Sequence, residues 1–208
     1  MTVAQDVTLV VEKPLSLRGI LIWRQLKKVE VKGIVNMTQG LIELLATAPG
    51  GKEHESIFVI SCNPSLFHTS LLLIGLNPGG GTFLGGKTAI YGDKVYVYIR
   101  WSEKNQTYTR CAEDFVWDKK RNCAMKRVQW SFTGSRFRNT PDGKKVFMAN
   151  VNSVLVATYY DPDAILNNPL PERGDDTVYY VNESVIPSRG TILTVIFSAT
   201  PLKTNFPE

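Results

Sequence analysis

Both histidines of the chain, His54 and His68, fall in the stretch from Glu30 to Gly81, and the first is flanked by carboxylates in Glu53-His54-Glu55. Two imidazoles with Glu53, Glu55 or the nearby Glu43 form a donor set suited to zinc or another divalent ion, with a position left for water. A metal-free version would use one imidazole as general base, oriented by a glutamate. The spacing matches no compact motif: HExxH and HxH are both absent, and the histidines stand 14 positions apart. The plain structural alternative is a single His-Glu hydrogen bond that fixes a strand-helix junction while the other carboxylates stay solvated.

Other reactive residues carry less. Ser56 lacks the GxSxG elbow of a hydrolase nucleophile. The glycines at 79–81 and 85–86 match neither GxGxxG nor GxxxxGK(S/T), and they follow a helix instead of opening one. Cys62, Cys111 and Cys123 contain no CxxC pair, which argues against a zinc ribbon, a thioredoxin-like site and an iron-sulfur ligand run. Cys111 and Cys123 could bridge if two strands bring them together, leaving Cys62 as a core thiol.

The elements that must position these residues are mostly strands. Val7–Val11 is β-prone and ends at Pro14, Leu17–Leu26 reads as strand or short helix, and Lys32-Gly33 signals a turn or bulge before a hairpin into Leu41–Leu45. The loop Pro49–Lys52 delivers Glu53–Ser56 onto Ile57–Ile60, an apolar run suited to a strand buried on both faces. Asn63 caps a helix with Pro64 at its first position, apolar nearly all round to residue 75, with His68 on the edge of the apolar arc. From Lys94 onward alternating aromatic and aliphatic residues predict a β meander, interrupted by a short helix near 162–167. The expected fold is α+β, predominantly β, with antiparallel or mixed sheets in a sandwich-like arrangement and one buried helix near 64–75.

At this point the residues resemble a known family. Val31 to Gly79 is similar to the YdjY-like domain of bacterial proteins, in which a Glu-Leu-Leu strand, a Gly-Gly-Lys-Glu-His-Glu-Ser turn and a Pro-Ser-x-x-His helix ending in Leu-Leu-Gly-Leu follow one another. Here these are Glu43-Leu44-Leu45, Gly50 to Ser56, Pro64-Ser65 with His68, and Leu72 to Leu76, and the similarity runs on through Trp117, Phe132-x-Gly134-Ser135 and Asp161 to Pro169. The resemblance implies a single YdjY-like domain over 1–208 with an N-terminal extension (1–28), but no established activity. Many members look exported, which implies a periplasmic or cell-surface location. Some relatives carry iron-sulfur cysteine runs; this chain has none, so that cofactor does not carry over.

Composition is that of an ordinary globular chain of 208 residues, 43% hydrophobic and 21% charged, with a net charge of +5. The densest basic stretch, Lys119 to Arg138, interleaves cations with Trp130, Phe132 and Phe137, yet no nucleic-acid motif frames it, and it reads as solvated faces of strands and turns. The start MTVAQDVTLVVEKPLS lacks a signal peptide's basic start and long apolar core, which fits either a cytoplasmic protein or a chain beginning near a mature N-terminus. No run is long enough to cross a membrane.

Two functions remain. The preferred one is a non-enzymatic binding or scaffolding module of an extracytoplasmic assembly, with a protein partner or homo-oligomer engaged through strand edges or aromatic positions and no nucleic acid bound. The alternative is a small zinc-type hydrolase built on His54, His68, Glu53 and Glu55.

Overall fold

In the computed structural model, which describes residues 12–81 and 90–205, a hairpin of β1 (Leu15–Leu17) and β2 (Ile20–Trp23) leads into β3 (Lys28–Val35). Next come β4 (Leu44–Thr47), a 3₁₀ turn at Glu53–Glu55, β5 (Ser56–Ile60) and helix α1 (Pro64–Leu73). The strands β6 (Pro78–Gly81) and β7 (Ile90–Gly92) pair with each other, and β8 (Lys94–Glu103) forms a long hairpin with β9 (Gln106–Cys111). A second 3₁₀ turn, Ala112–Phe115, precedes β10 (Val116–Asp118), β11 (Cys123–Ala124) and β12 (Trp130–Phe132). The chain closes with β13 (Phe137–Asn139), β14 (Lys145–Phe147), helix α2 (Met148–Asn152), β15 (Val154–Ala157), β16 (Leu166–Asn167), β17 (Tyr179–Val181) and β18 (Ile192–Ser198).

The main sheet closes on itself. In order, β3, β18, β8, β12, β16, β15, β4 and β5 are hydrogen-bonded neighbours, and β5 returns to β3 through Gly33–Ile60 and Val35–Phe58, giving a barrel of eight strands. This corrects the sandwich-like arrangement, although the predominantly β character holds. Gly33 is a strand residue at the seam, not a turn: a Cβ there would stand 2.7 Å from the Val59 carbonyl oxygen, so only glycine lets β5 close on β3 without a shift. Likewise β4 is no hairpin partner of β3; it runs parallel to β5 and antiparallel to β15.

The interior follows the strand alternation. Val29, Phe197 and Val97 share one level of the barrel, and Val31, Val195 and Ile99 the next, all buried. Phe67 of α1 packs on Phe197 with ring centroids 4.5 Å apart, and Phe115 packs on Phe58 at 5.5 Å and Trp101 at 5.8 Å, so short helical pieces fill the core at two levels. The free edge of β9 is covered by the C-terminal tail, where the Asn205 amide accepts from Thr109 N and donates to Thr107 O, each at 2.6 Å.

Several local expectations need correction. No helix forms near 162–167; Asp161 instead holds a turn, its carboxylate accepting from Asp163 N at 2.7 Å, before Leu166 and Asn167 enter the barrel wall. Asp-Pro-Asp serves a side-chain-held turn as readily as a helix cap. Helix α2 gave no signal because its N-cap residue, Phe147, offers no side-chain acceptor; the Ser135 hydroxyl, 14 positions from Ala149, accepts from Ala149 N at 3.1 Å instead. Helix α1 is buried on one face only, with Phe67 and Leu71 inside and Leu72 and Leu73 exposed. Cys62, Cys111 and Cys123 are all free thiols. The β-prone run 7–11 and the glycines at 85–86 lie outside the described residues.

Candidate functional site

The structure distributes the residues singled out for chemistry. Glu53, His54 and Glu55 form the 3₁₀ turn before β5, where Glu53 accepts from Gly50 N at 2.9 Å and His54 is 80% exposed, 3.8 Å from Glu55. Lys52 lies between Glu43 at 3.1 Å and Glu55 at 2.7 Å. Partial burial opposes its charge, but the hydrogen bonds to Glu55 and Glu43 outweigh that and raise its pKa. Lys52 therefore already occupies Glu43 and Glu55, while Glu53 is held by the Gly50 amide.

His68 lies beyond the other end of β5, on α1. Its ring packs against Phe132 at 5.2 Å and Phe147 at 5.4 Å, and burial lowers its pKa, which keeps it neutral at pH 7. Among the described residues no group of three or more His, Cys, Asp or Glu side chains is placed to hold a metal ion.

A different site emerges where the barrel wall is incomplete. On one side β8 is paired with β18 from Tyr96 to Trp101. On the other it meets β12 only at Lys94 and Val95, and β9 only from Tyr98 onward. Tyr96 and Val97 therefore have no strand partner on that side among the described residues. The segment 126–129, leading into β12, stands off from β8, and a groove of about 620 Å³ opens between them.

The groove has a defined chemistry. Tyr96 and Tyr98 stack along β8 at 6.5 Å, with the Tyr96 hydroxyl accepting from Gln129 and the Tyr98 hydroxyl from Leu202 N. Glu113 lies beneath, 2% exposed, and its Oε1 accepts a 2.7 Å hydrogen bond from the buried Trp130 indole. Burial pushes the Glu113 carboxyl up to about 7, against the downward pull of that bond and of Arg127. Lys94, Lys126 and Arg127 line the opening. Arg127 is paired with Asp114 at 2.9 Å and Lys94 with Ser131 at 2.9 Å, while Lys126 has no partner among the described residues.

Compared with known protein families, residues 20–198 match the YdjY domain. The chain belongs to the YdjY family. Neither the curated proteins nor the solved structures contain a match to it. In this YdjY domain no helix among the described residues is long and apolar enough to cross a membrane.

Glu113 escaped the sequence reading of this YdjY domain because Cys111-Ala112-Glu113-Asp114-Phe115 carries no motif, and its burial arises from Trp130, 17 positions away. The signal within reach was the basic stretch Lys119 to Arg138 around Trp130. Its reading as solvated surface fits its cations, since Lys120, Arg121, Lys126 and Arg127 are all exposed and the first two pair with Asp175 and Glu172, whereas Trp130 among them is fully buried.

Proposed function

We propose that this YdjY domain is a non-enzymatic binding or scaffolding module of an extracytoplasmic bacterial protein assembly, and that a protein partner docks at the break beside β8. The observation that carries the reading is the Tyr96–Val97 stretch, which lacks a strand partner on its groove side among the described residues. Backbone in that state is an acceptor site for an added strand, a recurring way for a sheet to take up an extended peptide. The groove volume lies within the range of specific binding sites, and its aromatic wall suits side chains of a partner. Extracytoplasmic placement rests on the resemblance to exported members, and fractionation of the native cell reads it directly.

Selection of a phage-displayed random heptapeptide library on the immobilised protein tests the docking site. Gln129→Trp, which fills the groove, should abolish capture of the selected peptides, while Val151→Ser on the exposed side of α2 should leave it intact. The absence of any peptide whose binding depends on the groove would overturn the proposal.

A further inference from the structure

We infer that the groove takes an acidic, extended peptide segment, added as a strand to the Tyr96–Val97 edge, with its carboxylates on Lys94, Lys126 and Arg127. This rests on the binding reading above and goes beyond it by naming the class of partner. Three cations line the opening, and one of them, Lys126, has no partner among the described residues. Such a rim favours anionic segments and repels basic ones. Between the cations the lining is apolar or aromatic, from Tyr96, Tyr98, Val128, Leu170 and Leu202. A strand alternating apolar and acidic residues satisfies both surfaces at once, because its side chains point alternately to opposite faces.

Glu113 makes this recognition sensitive to pH. The groups that face it are Trp130 from β12, Arg127 and Lys126 from the 126–129 segment, and Asp114 from its own turn. From β8 and β9 come Lys94, Tyr96, Tyr98 and Cys111, the last held protonated by a pKa pushed up to about 11; Leu202, Thr204, Pro169 and Leu170 contribute no titrating group. When Glu113 is ionised it subtracts from the positive field of the rim. Protonation below neutrality removes that charge, so an acidic peptide binds more tightly as pH falls.

Fluorescence anisotropy on the full chain tests the inference with a heptapeptide of alternating valine and aspartate, labelled at its N-terminus with tetramethylrhodamine, a dye whose charge is constant from pH 6 to pH 8. Its comparators are the valine-lysine counterpart and a single-stranded oligothymidylate of equal charge. Aspartate stays ionised between pH 6 and pH 8, so the probe itself does not titrate. The acidic peptide should bind saturably, about ten-fold tighter than the basic one and about five-fold tighter at pH 6 than at pH 8. Glu113→Gln, which retains an acceptor for Trp130, should bind at pH 8 as the wild type does at pH 6. Lys126→Glu, an exposed change, should weaken binding about ten-fold. Equal binding of the two peptides, preference for the oligothymidylate, or an unchanged pH step in Glu113→Gln would overturn the inference. If the library selection yields groove-dependent peptides that are neutral or basic, acidic specificity falls and the docking reading stands; if it yields none, both fall.

Discussion

Trp130 Nε1 donates a 2.7 Å hydrogen bond to Glu113 Oε1, joining a fully buried indole of the barrel wall to a carboxyl that is itself only 2% exposed. The pair sits where β9 has left the sheet and β12 has only just joined it. A neutral carboxylic acid accepts this bond without a buried charge, whereas a carboxylate makes a stronger bond but must be desolvated.

Glu113 therefore makes folding stability depend on pH. Its pKa is raised from the ordinary value of 4.5 to about 7, so between these values the folded chain binds the extra proton. The stabilisation is fully present below about pH 4.5 and is lost as pH rises through about 7. Glu113→Gln should remove this slope and exceed the wild type at pH 8 by at most roughly 3 kcal/mol, since a ten-fold change in proton affinity corresponds to about 1.4 kcal/mol. Urea denaturation of both proteins at pH 5 and pH 8 gives the answer; a difference independent of pH would contradict a protonated Glu113.

His68 acts in the opposite sense. Burial against Phe132 and Phe147 lowers its pKa, so the unfolded chain takes up a proton first as pH falls below the ordinary value of 6.5. The neutral ring's contribution is present above that value and is lost at more acidic pH. His68→Leu should melt with a flatter acid limb than the wild type in thermal scans between pH 7 and pH 5. A parallel acid limb would mean that His68 titrates alike in the folded and unfolded chains.

Lys52 holds Glu43 and Glu55 together, with all three side chains partly open to solvent. Lys52→Met should destabilise by about 1 kcal/mol, a figure reduced by solvent screening, and should raise the affinity of the turn for added divalent cations. In the wild-type protein the amine already bridges both carboxylates, so dialysis against a chelator should leave the melting temperature unchanged. A fall in melting temperature that added zinc reverses would instead restore the metal reading of Glu53, His54 and Glu55.

How far the sequence speaks depends on how local each determinant is. The strand at Ser56–Ile60 and the helix start were legible because both are local: five buried residues in a row, then Asn63 accepting from Ser65 N at 3.0 Å and Leu66 N at 3.3 Å. Barrel closure was not, since sandwich and barrel strands share one alternation and the difference lies in the register of Gly33 on Ile60. The groove was hidden for the same reason. That Tyr96 and Val97 lack a strand partner on the groove side among the described residues follows from where β12 and β9 begin pairing, which no property of those two residues records.

Gly33 is the sharpest test of closure. A Cβ at this position meets backbone on the facing strand, 2.7 Å from the Val59 oxygen and 3.3 Å from the Ile60 Cα, where no side-chain rotation can give way. Gly33→Ala must push β5 off β3 and should lose about 1–3 kcal/mol, the usual penalty of overpacking. Gly80→Ala, with nothing among the described residues within 4 Å of the added atom, should stay within about 0.5 kcal/mol of wild type. Hydrogen exchange locates the damage: Gly33→Ala should speed exchange along β3 and β5 at the seam while amides in the β3–β18 ladder stay protected. Uniform loss of protection across the barrel would show instead that the β3–β5 seam opens only with the whole sheet.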